Sequence, residues 1–258
     1  MKSSLQSYIL HLADNSLILG HRNSEWTGHG PALEQDIAIS NIALDLIGQA
    51  RNFYQYAAQL SENKEQVTED TLAYLRDAWD FRNCLLVEQS NGDWAKTILR
   101  QFFFSVYQFY LYGQLQHSTD VQLAAIAEKA LKEVTYHLKW SAEWVIRLGD
   151  GTEESNIRMQ KAVDELWKFT GELMTAAGYE TELANEKIAV DLNTIKDEWD
   201  NKVKEVFSDA TLDFPAKGAK ENNTWMQNGG KSGIHTEHLG YILAEMQFLQ
   251  RAYPGCGW

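Results

Sequence analysis

Proline is nearly missing from this chain, and its absence constrains the fold more than any motif does. Pro31, Pro215 and Pro254 are the only three in 258 residues, and each falls at an element boundary or in irregular sequence. A proline inside a helix removes a hydrogen bond and costs roughly 3 kcal/mol, so a chain that keeps it out can sustain very long helices. Apolar residues at helical spacing fill the open runs. Leu5, Ile9, Leu12, Ser16 and Leu19 trace one face of a first helix, expected to close at Gly20. His29-Gly30-Pro31 is a break that opens a second helix over 33–60, with Ile39, Ile42, Leu46, Gln49 and Phe53 on one stripe.

Capping residues place the remaining helices. Thr68 followed by Glu69 and Asp70 sets a hydroxyl cap and two acids against a helix dipole, and predicts a third helix to about residue 88. Asn91-Gly92-Asp93 is a turn and cap before an aromatic-rich helix over 94–117. Thr119-x-x-Gln122 reads as a capping box opening a helix that ends at Gly149, where glycine would supply a left-handed terminus. Gly151-Thr152 opens another to about 178, and shorter helices follow at 194–209 and 236–252. No strand-type alternation occurs, so the pattern predicts an all-α bundle of long helices with short ones toward the ends. It reads as a single domain over 1–258, with one irregular Gly/Asn-rich segment at about 213–233.

The chain has 36 acids against 23 bases, a formal net charge of −13. Such a surface repels phosphate backbones and anionic lipid, which argues against nucleic-acid and membrane partners and leaves room for a basic protein partner. Cys84 and Cys256 form neither a disulfide framework nor a zinc pattern. Asp14 and Asn15 interrupt the first helix, and no run of eighteen apolar residues occurs, so a cytoplasmic location is expected.

Charges on otherwise apolar helix faces are the informative residues, because a buried charge must be paired or bind metal. Asp45 falls on the second helix's stripe, and Arg76 and Asp80 flank Trp79 on the third. Glu133 and His137 stack four apart before Gly149, and Asp164 neighbours Trp167. Inward carboxylates on four helices are the layout of a di-iron carboxylate bundle, which also needs two Glu-x-x-His motifs. None of the seven histidines has Glu or Asp three positions before it. Arg76 would repel a metal pair and is expected to neutralise Asp45 or Glu133, and Trp167 cannot ligate iron. The expectation is a charge-paired core of Asp45, Arg76, Asp80, Glu133, His137 and Asp164, with no catalytic or metal residue. The alternative is a self-sufficient di-metal carboxylate oxygenase using Asp45, Asp80, Glu133, His137 and Asp164.

Three further features carry less. His235-Thr236-Glu237-His238 suits a helix start or an interface better than a metal. Asn228-Gly229-Gly230-Lys231-Ser232-Gly233 lacks both the spacing and the preceding strand of a phosphate loop. The run Phe102-Phe103-Phe104, Tyr107, Phe109, Tyr110 and Tyr112 surrounds its helix, which marks it as buried.

Several segments in order resemble one family. They are Leu44-Asp45-Leu46-Ile47-Gly48-Gln49-Ala50-Arg51-Asn52, Leu85-Leu86-Val87-Glu88-Gln89 leading into Asn91-Gly92-Asp93, and Lys132-Glu133-Val134 with Tyr136-His137-Leu138. Arg147-Leu148-Gly149 with Gly151-Thr152, and Trp167-Lys168-Phe169-Thr170, continue the series. A C-terminal signature joins Gly229-Gly230-Lys231, Gly233, His235-Thr236-Glu237-His238-Leu239-Gly240 and Leu243-Ala244-Glu245-Met246-Gln247. Over nearly its whole length the chain is similar to the PaaC-type components of ring-1,2-phenylacetyl-CoA epoxidases. The resemblance implies a ferritin-like fold and a structural, non-catalytic role beside a homologous PaaA-type subunit that carries the di-iron centre. It further implies a bridging PaaB-type subunit and transient contact with an NADPH-dependent reductase holding FAD and iron–sulfur. No cofactor would reside in this chain, and Lys231, His235, Glu237 and His238 would contribute partner contacts. The chain on its own is expected to lack activity, and a homo-oligomer of the isolated chain is left open.

Overall fold

The computed structural model describes residues 2–62, 66–214 and 226–256. Among them there is no strand, and the chain is an all-α, ferritin-like bundle. The helices are α1 (Lys2–Ser24), α2 (Leu33–Leu60), α3 (Glu69–Tyr74), α4 (Leu85–Glu88), α5 (Trp94–Leu115) and α6 (Val121–Gly149), followed by α7 (Glu153–Leu166), α8 (Gly178–Asn185), α9 (Asn193–Asp209), α10 (Glu237–Met246) and α11 (Phe248–Ala252). Short 3₁₀ turns lie at Ala78–Asp80, Trp167–Phe169, Gly171–Met174 and Gly230–Ser232. No helix among the described residues is long and apolar enough to cross a membrane. Of the irregular segment at 213–233, residues 215–225 lie outside the described residues.

Two compact units emerge, Met1–Ser90 with Gly229–Trp258, and Asn91–Asn228. The first is built on the antiparallel pair α1 and α2. Gln6 of α1 donates to Ser61 at 2.9 Å at one end, and Thr27 meets Ser40 at 3.1 Å at the other. α1 does not stop at Gly20. A Cβ there would sit 3.1 Å from the Ile47 side chain and 3.3 Å from the Ala43 carbonyl, so this glycine admits α2 at close range.

The second unit is built on α5 and α6, with α7 and α9 packed on them. Trp94, at the start of α5, meets Trp140 and Trp144 of α6 edge-on at 6.1 Å. α5 is buried over most of its circumference, polar Arg100, Gln101, Ser105 and Gln108 included. Trp199 of α9 donates its indole N–H to the Phe103 carbonyl at 3.1 Å. Trp167 packs among Phe103, Trp199 and Phe214, its ring centroid 4.8 Å from that of Phe214.

The largest departure from the sequence pattern is the predicted third helix, which breaks into α3, a 3₁₀ turn, an extended stretch and α4. Its backbone bonds outside itself. The Arg82 N–H donates to Asp14 at 2.8 Å, the Cys84 N–H donates to Asn15 at 2.8 Å, and the Arg82 carbonyl meets His11 at 2.7 Å. Three polar side chains of α1 thus replace the helical ladder.

Candidate functional site

Asp14, on the middle of α1, is completely buried. Its two carboxylate oxygens accept four donors: both terminal nitrogens of Arg76, the Tyr54 hydroxyl from α2, and the Arg82 N–H. A carboxylate offers about four lone-pair sites, so its capacity is filled. Arg76 also donates to the Leu72 and Asp80 carbonyls, and its guanidinium lies 4.3 Å from the Phe81 ring centroid. Burial opposes the Arg76 charge, yet Asp14 and Tyr54 outweigh it and hold its pKa above the ordinary value. Burial, then the Asp14 charge, pushes the Tyr54 hydroxyl well above its usual pKa, so Tyr54 stays a neutral donor.

A second buried carboxylate repeats this design. Glu88, at the end of α4, is fully buried. It accepts from Asn83 at 2.9 Å, from the Thr236 N–H and hydroxyl at 2.7 Å each, and pairs with His235 Nδ1 at 2.9 Å. His235 Nε2 faces the Phe81 carbonyl at 3.1 Å. Both ring nitrogens therefore lie within hydrogen-bonding distance of acceptor oxygens. Arg22 of α1 closes the site from the other side, donating twice to the Glu88 carbonyl at 3.2 and 3.0 Å.

Gly230 and Gly233 let the C-terminal segment reach this site. A Cβ on Gly230 would lie 2.1 Å from the Asn83 carbonyl oxygen, and Gly233 combines φ +82° with a carbonyl 2.3 Å from its Cβ position. The glycine-rich run thus serves close backbone approach, and Lys231 within it is buried.

The predicted residues fall in different places. Arg76 holds Asp14, where Asp45 or Glu133 was expected, and Asp45 stays half-buried on α2. Asp80 is exposed and caps its own 3₁₀ turn by accepting from the Asp77 N–H; its carbonyl accepts from Arg76, and its charge adds, after Asp14 and Tyr54, to what favours the Arg76 cation. In the second unit His137 is fully buried on α6 with Glu133 half-buried one turn before it, whereas Asp164 is exposed on α7 and outside any core. In the C-terminal signature His235 is tied to Glu88, Glu237 is exposed in the first turn of α10, and His238 is half-buried. Among the described residues no three His, Cys, Asp or Glu side chains group so as to hold a metal ion. Sequence reasoning missed Asp14, Tyr54 and Glu88. The available signal was a helix apolar on most sides that carries His11, Asp14 and Asn15 within about one turn.

Known proteins resemble the chain along its full length. Residues 1–258 match the family described as Phenylacetic acid catabolic protein. The C subunit of the 1,2-phenylacetyl-CoA epoxidase of Escherichia coli (strain K12) is 48% identical over 256 residues, covering 99% of this chain and 100% of that protein.

Proposed function

Because this chain belongs to the phenylacetic acid catabolic protein family, we propose that it is the structural, non-catalytic PaaC-type component of a bacterial phenylacetyl-CoA ring epoxidase. In this reading it pairs with and stabilises a homologous PaaA-type subunit that carries the di-iron centre, in aerobic phenylacetate breakdown. A PaaB-type subunit bridges such pairs, and a flavin and iron–sulfur reductase delivers electrons from NADPH. The chain works in the cytoplasm and holds no cofactor itself.

One observation carries the non-catalytic part. Among the described residues of the first unit, Asp14 and Glu88 are the fully buried carboxylates, and each already accepts four hydrogen bonds. A metal ligand must offer a lone pair, and these oxygens have none left to offer. An arginine beside one of them adds positive charge where a metal would need the opposite. The buried acids of this unit are thereby committed to holding the broken segment 75–88 and the C-terminal segment in place.

The test is co-expression with a PaaA-type subunit, followed by metal analysis of the complex and of this chain alone. A stable complex and substoichiometric iron in the isolated chain are expected, with no epoxidation by the chain alone. Stoichiometric iron with a di-ferric absorption band and turnover without the partner would establish the di-metal oxygenase alternative.

A further inference from the structure

We propose that the face of the first unit centred on Trp79 is the surface on which the catalytic subunit docks, with Trp79 as its energetic anchor. This rests on the structural-subunit reading above. Trp79 is 75% exposed on the 3₁₀ turn Ala78–Asp80. A large aromatic side chain left open to water on a soluble surface marks an interaction site when apolar neighbours extend it. Gly233 packs against the Trp79 carbonyl and places Ile234, 70% exposed, next in the chain. Leu75 and Tyr253 line a common open groove of about 480 Å³, and both are more than half exposed. Tyr241 and Phe248, one heptad apart on the solvent side of α10 and α11, are exposed to a similar degree.

The backbone under this face is fixed while its side chains stay free. The Trp79 carbonyl accepts from Arg82 at 2.6 Å, and Asp77 and Asp80 cap the turn between them. Arg76 is anchored on Asp14, and Arg251 clamps the two segments together through the Arg76 carbonyl at 2.8 Å and Asp77 at 2.9 Å. A rigid anchor loses little entropy on binding, which is how interface hot spots are built. The buried network therefore has a purpose outside itself, since it holds the turn that presents Trp79.

Area and charge indicate the occupant. At ~150–250 Å² per aromatic side chain, the open parts of these six residues come to roughly 700 Å², near the ~800 Å² each partner gives to a stable interface. The segments that carry these residues also bear exposed Asp70, Asp77, Asp80, Glu237 and Glu245 against Arg251, an acidic excess on a chain of net charge −13. A second copy would bring like charges together across the contact, whereas a partner with a basic rim around an apolar centre complements it. On the structural-subunit reading, the occupant proposed for this face is the PaaA-type subunit.

The test uses the full-length chain and the PaaA-type subunit, with affinity measured by calorimetry and each variant's thermal melt recorded beside it. Trp79→Ala should weaken binding by at least ~30-fold and Ile234→Ala by several-fold, with melts matching the parent. Ile157→Ala, at an apolar residue 60% exposed on α7, should bind as the parent does. If the parent binds and Trp79→Ala binds equally well, the face is wrong while the structural-subunit reading stands. If the parent itself fails to bind the subunit, both fall together. Parent self-association abolished by Trp79→Ala, with subunit binding unchanged, would make a second copy the occupant and overturn the proposal.

Discussion

Replacing Arg76 by methionine isolates what the buried ion pair contributes. The substitution keeps an unbranched apolar stem and removes the guanidinium, whose side chain is only 12% exposed beside an Asp14 that is wholly buried. Asp14 would lose two of its four donors and keep the Tyr54 hydroxyl and the Arg82 N–H. Stranding one member of a buried pair costs about 3–5 kcal/mol. Loss of the cation from above the Phe81 ring adds up to ~1 kcal/mol, and the methionine stem recovers part of this by packing. The expected loss is about 4 kcal/mol, a large share of the ~5–15 kcal/mol that keeps a domain folded. The exposed pair Arg158–Glu154, with side chains 56% and 75% exposed, should lose no more than ~1 kcal/mol when Arg158 is truncated. Native-state hydrogen exchange read by mass spectrometry resolves the effect along the chain, with protection falling in α1 and 75–88 while α5 and α6 keep theirs. Adding Asp14→Asn to Arg76→Met should restore at least ~2 kcal/mol, because the penalty lies in a stranded charge and the amide carries none. Parent-like exchange in Arg76→Met, or no rescue by Asp14→Asn, would refute the argument.

Other perturbations test separate parts of the same picture. His235→Ala removes a hydrogen-bond partner from Glu88, and limited proteolysis with mass mapping should show new cleavage within 229–236 at temperatures where the parent resists. Burial lowers the His21 pKa from 6.5 to about 4, so the folded chain refuses a proton that the unfolded chain accepts. Stability should therefore fall as pH drops from about 6.5 toward 4, by at most ~3 kcal/mol, and His21→Gln should flatten that part of the melting curve against pH. Gly149→Ala should lower the melting temperature, since its Cβ would lie 2.3 Å from the Ala210 carbonyl oxygen. Gly48→Ala, with open space around it, should raise stability by up to ~1 kcal/mol.

Local chemistry was readable wherever the relevant partner is a few residues away. Thr68, Asp93 and Thr152 cap their helices as their sequence contexts indicate, each accepting from the N–H three positions on. The reading slipped by one residue at the start of α6, where Asp120 is the cap and Thr119 instead meets the Lys187 carbonyl at 3.2 Å. It failed in kind at Gly149, which admits the Ala210 backbone and supplies no left-handed turn. In each case the deciding atom belongs to a residue distant in sequence.

The sequence by itself determined that the chain is a long-helix bundle, that it has no paired Glu-x-x-His motifs, and which family it resembles. Proline scarcity, apolar spacing and residue identity are properties of the chain alone, so no partner could alter them. Only the tertiary structure decided what its inward charges do. A helical pattern over 68–88 gave no sign that Asp14, Asn15 and His11, more than sixty residues earlier, would take its backbone hydrogen bonds and break it. Nor did it show that Glu88 would be claimed by His235 and Thr236, nearly 150 residues later. Burial makes those pairings compulsory, because a desolvated carboxylate must find donors wherever the fold brings them. The proline-poor pattern allowed an unbroken third helix, but satisfying two buried acids required breaking it.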